Sequence, residues 1–135
     1  MKPATPPCHA TVAHQPDGSY AISVELTNAG DQPVTLESYQ PFLQFRVRAE
    51  ADGAPVTIDQ PALDLPVQPI DLTIPARGSL TLRSPIRLVI AAGARGAKDG
   101  FVWTIARPAT GLTLAIDVDL AAPYGGPCPT DLVGP

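Results

Sequence analysis

Residues 20–36 read YAISVELTNAGDQPVTL, and this stretch predicts a strand, a turn and a second strand. In its first part apolar side chains alternate with polar or small ones, the period of two that is typical of a strand with one buried face. The segment 28–31 then supplies Asn, Gly and Asp, which tolerate the backbone angles of a tight reversal. Val34 and Leu36 resume the alternation, so the stretch predicts a hairpin at the centre of a β-fold.

The composition indicates one globular domain built from short segments. The chain has 135 residues, of which 44% are hydrophobic, enough for a real core. Its 17 prolines and 11 glycines divide it into short pieces and argue against long helices. The net charge is −4 and the basic residues are scattered, which disfavours nucleic-acid binding because phosphate neutralisation needs clustered Lys and Arg. No apolar run approaches the ~20 residues that span a bilayer.

The same alternation recurs along the chain, and turn signals separate the runs. Further strands are predicted at 10–14, 42–50, 56–58, 72–74, 80–83, 86–90, 101–106 and 112–120. Residues 59–71, DQPALDLPVQPID, predict a long crossover or an edge segment, since proline cannot donate to a ladder. Residues 91–100 predict a loop. Such a series of short strands is typical of an all-β antiparallel sandwich or barrel.

Four motifs carry a resemblance to a known family: LTNAGDQPVTL, YQPFLQFRV, DGAPV and IPARGSLTL, with a proline-rich crossover before the last. This order, over roughly residues 20–83, resembles bacterial immunoglobulin-like sandwich domains. In outline it is also similar to the domains that precede some secreted metallopeptidases and to small proteinase-inhibitor-like sandwiches.

The resemblance implies a single antiparallel immunoglobulin-like β-sandwich of about 7–9 strands with flexible termini. The corresponding divisions are a Pro-rich N-terminal tail at 1–9, the sandwich at 10–121 and a Pro/Gly-rich C-terminal tail at 122–135. The chain departs from antibody-type domains because its cysteines are terminal, so Trp103 has no disulfide to pack on. The resemblance therefore transfers an architecture and no catalytic residues.

Cys8 and Cys128 are the only cysteines, and they lie near opposite ends of the chain. A disulfide between them would tie the termini together and indicate an oxidising compartment, whereas the alternative is two reduced thiols in the tails. We expect a periplasmic or extracellular protein. The N-terminus lacks the apolar core of a signal peptide, which leaves two readings: a cytosolic protein, or a Met1 that follows a removed export signal.

The spacing of histidine, cysteine and aspartate residues in the sequence does not support a metal site or a cofactor. His9 and His14 are the only histidines and, with Cys8, do not complete the four ligands of structural zinc. Asp117 and Asp119 share the outer face of the last predicted strand, but no dense D-x-D-x-D-G loop is present for calcium. We therefore expect no metal site and no cofactor.

Catalysis is not expected either. The chain contains no G-x-S-x-G elbow, and Ser79 and Ser84 have no evident histidine partner. Both histidines lie near the N-terminus, so the fold alone would have to assemble any catalytic triad.

The sequence also contains a candidate interaction surface. The aromatic residues Tyr39, Phe42 and Tyr124 adjoin Pro or Gly at predicted loops or strand ends, where they either mediate contacts or cap the core. Arg46 and Arg48 share an outer strand face. They predict either cross-strand ion pairs with a nearby glutamate, Glu37 or Glu50, or a patch that recognises carboxylates.

These observations favour a non-enzymatic accessory or protein-interaction module of an exported bacterial protein, with another protein as its partner. One alternative is a carbohydrate- or ligand-binding sandwich, with or without calcium. Another is a protease inhibitor that uses the 59–71 loop. The pattern also predicts that the apolar face of 20–27, with Ile22, Val24 and Leu26, meets four residues across the core. These four are Trp103, Ile105, Leu114 and Ile116.

Overall fold

The computed structural model describes residues 7–40, 45–59, 68–91, 102–106, 111–121 and 124–134. These residues form twelve strands and no helix, which confirms the all-β class. The strands are β1 (Cys8–His14), β2 (Tyr20–Thr27), β3 (Val34–Gln40), β4 (Phe45–Ala51), β5 (Ala54–Pro55), β6 (Ile58–Asp59), β7 (Gln68–Ile74), β8 (Ser79–Ala91), β9 (Val102–Ala106), β10 (Leu112–Val118), β11 (Gly126–Cys128) and β12 (Thr130–Val133). No helix of these residues is long and apolar enough to cross a membrane.

The described strands form three sheets. A six-stranded sheet has the order β12-β1-β2-β8-β9-β6, a four-stranded sheet the order β11-β10-β4-β5, and β3 pairs with β7 as a two-stranded ribbon. The pairs β1–β12 and β8–β9 are parallel, whereas the other pairs are antiparallel. The prediction of a purely antiparallel fold is therefore wrong for these two pairs, and the sheets are mixed.

The stretch that predicted a hairpin does not form one. β2 lies between β1 and β8, while β3 pairs only with β7 among the described strands. The turn after β2 therefore carries the chain from the six-stranded sheet into the ribbon. The alternation defined both strands correctly, but a turn signal does not determine which strand becomes the partner.

Strand β8 continues through Pro85, where the sequence predicted an interruption. The pairing of β2 with β8 steps from Ala21↔Arg87 to Ser23↔Arg83, so β8 holds two more residues than β2 between these pairs. Such an irregularity accommodates a proline, which has no N–H for the ladder. The hydroxyl of Ser84 accepts a hydrogen bond from the amide of Ile86 at 3.0 Å within it.

The residues expected in the core all belong to one buried cluster. They are Ile22, Val24, Leu26, Trp103, Ile105, Leu114 and Ile116, each at most 7% exposed. Leu114 and Ile116 come from the four-stranded sheet, whereas Trp103 and Ile105 lie on β9, in the same sheet as β2. The core is thus shared between sheets as predicted, but β9 lies beside β8 rather than across from β2.

The chain beyond residue 121, predicted as a tail, contains two further strands. β11 pairs antiparallel with β10, and β12 adds to β1 in parallel. Pro129 lies between β11 and β12, and its carbonyl accepts a hydrogen bond from the amide of Ala10 on β1 at 2.8 Å. A domain boundary at 121 therefore leaves out two strands of the fold.

Candidate interaction surface

Cys8 and Cys128 form a disulfide that joins two sheets. Cys8 lies on β1 of the six-stranded sheet and Cys128 on β11 of the four-stranded sheet, with their Cα atoms 5.4 Å apart. Both residues are 4% exposed. The cross-link therefore ties the final strands to the first strand inside the core.

Arg48 pairs with a carboxylate that the sequence did not indicate. Its guanidinium contacts both carboxylate oxygens of Asp117 on β10, with Nε–Oδ2 at 2.8 Å and an Nη2 hydrogen bond to Oδ1 at 3.1 Å. The predicted partners, Glu37 and Glu50, are not involved. The pairing follows from register, since Asp117 lies opposite Arg46, one diagonal step from Arg48. Because both side chains are partly exposed, the pair contributes little to stability.

Arg46 lies at a shallow groove beside this pair. The groove has a volume of about 360 Å³ and is lined by Phe45, Arg46, Asp117, Val118 and Asp119. Within the described residues Arg46 forms no ion pair, because Arg48 occupies the carboxylate opposite it. The two arginines therefore act differently, and only Arg46 is available to a carboxylate from outside.

The three aromatic candidates separate in the structure. Tyr124 is 9% exposed and belongs to the core cluster, so its assignment to an interaction surface is wrong. Tyr39 is half-buried on β3, opposite Pro69 of β7. Phe42 lies outside the described residues, as does most of the 59–71 segment proposed as an inhibitor loop. Of the candidate aromatics, the structure therefore places only Tyr39 at an accessible strand.

The sheet edges differ in length. The six- and four-stranded sheets end in β12, β6, β11 and β5, which have four, two, three and two residues. In contrast, β3 and β7 each have seven residues, and among the described strands each is paired on one side only. Seven residues of strand present an edge about 20 Å long. These edges could not be predicted from the sequence, because the length of a strand does not indicate how it pairs.

The two faces of the ribbon are unlike. Leu36, Ser38 and Ile74 are buried, so this face packs toward the core. On the opposite face Glu37 lies directly across from Asp71, and both side chains are exposed. Like charges directly opposite each other destabilise a strand pair. Among the described residues no cation forms an ion pair with either carboxylate.

Asn28 fixes the base of the ribbon. Its side-chain amide donates to the carbonyl of Gln32 at 2.7 Å, and to those of Ile74 and Pro75 at 3.3 Å each. Its Oδ1 accepts from the amide of Gly30 at 2.9 Å. Asn28 is 3% exposed, so these bonds satisfy a buried amide. One side chain thus joins the turn after β2 to the turn after β7.

The backbone reinforces this junction. The amide of Asn28 donates to the carbonyl of Gly78 at 2.9 Å, and the amide of Arg77 donates to that of Gly30 at 3.0 Å. The Arg77 guanidinium also contacts Asp31 at 2.6 Å, although both side chains are 75% exposed. The ribbon is therefore held at one end by several hydrogen bonds, of which the one from Asn28 to Ile74 is buried.

The two histidines contact different residues. His9 on β1 pairs with Asp131 on β12 at 2.8 Å, and the His14 ring packs edge-on against Tyr20. In the described part of the chain no group of three or more His, Cys, Asp or Glu side chains could hold a metal ion. His9 instead links the edge strand to its neighbour.

Comparison of the chain with protein-family models, with curated proteins and with solved structures found no match. The resemblance to bacterial immunoglobulin-like domains therefore stays a prediction from the sequence pattern. The site has to be interpreted from its own geometry.

Proposed function

We propose that this domain is a non-enzymatic interaction module of an immunoglobulin-like type, and that it binds another protein by strand addition to the β3–β7 ribbon. The observation that carries the proposal is the length of the two ribbon strands, each paired on one side only among the described strands. Each has seven residues, whereas the strands that end the other two sheets have four or fewer. Among the inner described strands, β8 is also unpaired along 79–86 on the side away from β2.

Edge length supports binding for a physical reason. An unpaired edge presents a row of N–H and C=O groups that invites pairing with other chains, and proteins therefore shorten or cover such edges. A long edge that is kept open suits a partner in extended conformation, because main-chain hydrogen bonds then supply affinity. The anchored base of the ribbon also lowers the entropic cost of binding.

The buried disulfide supports an exported protein. Disulfides persist in the periplasm and outside the cell, and cytosolic reductants keep thiols reduced. We propose a periplasmic or extracellular location on this basis, with the partner in the same compartment.

The test is selection from a library of nine-residue peptides, followed by mapping of the contact by NMR chemical-shift changes. We expect the selected peptides to shift amide signals of Val34–Gln40 or Gln68–Ile74. Failure to select any binder, or shifts confined to other parts of the domain, would contradict the proposal.

A second candidate function is ligand binding at the groove beside Phe45 and Arg46. Its volume of about 360 Å³ lies within the range of small-molecule sites, about 300–1,000 Å³. Arg46 has no ion-pair partner within the described residues, which favours an anionic ligand. Titration with a panel of acidic sugars and small carboxylates would shift signals of β4 and the end of β10 if this reading is correct. The same titration on Arg46→Gln would then show no shift.

A further inference from the structure

We propose that the edge of β3 that faces away from β7, rather than the outer edge of β7, accepts the partner, and that the partner strand carries a Lys or Arg opposite Glu37. This inference rests on the proposed function and adds the edge and the chemical class of the partner. Three observations carry it: the placement of proline, the opposed carboxylates and the alternation of the ribbon faces.

Proline distinguishes the two edges. β7 reads QPIDLTI and contains Pro69, which has no N–H to donate. β3 reads VTLESYQ, and each of its residues carries an N–H. Proline is one of the residues that protect an edge strand from further pairing. The more complete ladder is therefore available along β3.

The opposed carboxylates define the charge of the partner. Glu37 and Asp71 face each other on the exposed side of the ribbon, and within the described residues neither has a cationic partner. A strand added to β3 would place one of its side chains directly beside Glu37. A Lys or Arg there would give Glu37 an opposite charge on its outer side, and this attraction would offset the repulsion between Glu37 and Asp71.

The alternation of faces defines the neighbours of that basic residue. Leu36 and Ser38 flank Glu37 and point toward the core. In the partner strand, the residues on either side of the cation would also point toward the core, so they should be apolar and small enough to pack at the edge of the ribbon. The partner is therefore an extended segment with one basic residue between apolar ones.

A second copy of this chain fits the edge less well. Antiparallel pairing of two β3 strands centred on Glu37 would place two glutamates opposite each other, beside the two Asp71 carboxylates. Charge complementarity therefore favours a different, basic partner.

The experiment compares two capped nine-residue peptides, TVTVKVTVT and TVTVEVTVT, by titration calorimetry against the full chain. We expect the Lys peptide to bind about tenfold more tightly than the Glu peptide, the effect of exchanging a favourable cross-strand charge pair for a repulsive one. Glu37→Lys should reverse the preference. Glu50→Lys is the matched control, because Glu50 is an exposed glutamate on β4, outside the ribbon, and should leave the preference unchanged.

The outcomes separate the inference from the function on which it rests. If both peptides bind the ribbon equally and Glu37→Lys changes nothing, the charge assignment is overturned while strand addition stands. If neither peptide binds but library-selected peptides still map to the ribbon, the partner class is overturned. If sedimentation shows a dimer that Glu37→Lys strengthens, a second copy occupies the edge and the proposal is overturned. If no peptide of either kind reaches the ribbon, the proposed function fails as well.

Discussion

Removal of the Cys8–Cys128 disulfide should cause a large loss of stability. The two cysteines are 120 residues apart in sequence, and closing a loop of that length contributes about 5 kcal/mol by the chain-entropy relation. A domain of this size has a free energy of unfolding of roughly 5–15 kcal/mol. The cross-link would thus account for a third or more of the total.

The structure adds a local reason. The disulfide holds β11 in one sheet to β1 in another, and β12 follows it directly along the chain. Without the cross-link the eight residues from Gly126 to Val133 depend on hydrogen bonds of two short strands, of three and four residues. We therefore expect these strands to open first when the disulfide is reduced.

The assay is urea unfolding of oxidised and reduced wild-type protein, since reduction leaves every other side chain in place. With a urea slope of 1–3 kcal/mol/M, the loss corresponds to a midpoint about 2–5 M lower. The variant with Cys8→Ala and Cys128→Ala should behave as the reduced protein does. A shift of less than about 1 kcal/mol, or two free thiols in protein handled without reductant, would refute the reasoning.

Three further predictions concern the folded state. Asn28→Ala should lower the free energy of unfolding by about 2–4 kcal/mol, because it leaves buried backbone groups unpaired. Gln32→Ala keeps the accepting carbonyl, so it should lower the free energy of unfolding by less than about 0.5 kcal/mol. Urea unfolding measures both changes. Hydrogen bonds from the neighbouring Ser19 hydroxyl and amide hold the pKa of Asp17 below its ordinary value of 3.8. The stabilisation of the folded state by ionised Asp17 should be complete above pH 3.8 and lost as the pH falls through the lower folded-state pKa. If Asp17→Asn left the fall of stability at acid pH unchanged, the prediction would be wrong. Val24→Asp should unfold the domain, as followed by circular dichroism, because Val24 is 2% exposed, whereas Ser23→Asp should be tolerated.

The pattern of apolar residues predicted the strands that have one buried face. β1, β2, β3, β4 and β10 lie where the alternation indicated, and their inward residues fill the core. Period-two alternation is a local property of a strand, so a single sequence contains it.

Strand pairing was less accessible to sequence reasoning. The parallel pairs β1–β12 and β8–β9 depend on which distant strands meet, and no local signal encodes that. β11 and β12 were missed because proline and glycine mark turns more strongly than three or four residues mark a strand. Pro85 likewise predicted a break between two strands, but an irregularity in the pairing of β8 accommodates it within one strand.

The candidate site was only partly predictable. The disulfide was one of two readings of the cysteines, and the structure distinguishes them. The pairing of Arg48 with Asp117 required the register between β4 and β10. Tyr124 resembles an exposed loop aromatic in sequence, but the short final strands bring it into the core. The outer edge of β3 could be recognised only once the pairing of the described strands was known.

Hydrogen exchange along Val34–Gln40 tests the central claim most directly. In the free protein, alternate amides of β3 point away from β7, so they should exchange rapidly while their neighbours are protected. Saturation with the TVTVKVTVT peptide should slow those fast amides and leave the exchange of β2 and β10 unchanged. Uniform protection of β3 in the free protein, or no change on adding a bound peptide, would contradict an open edge that accepts a basic strand.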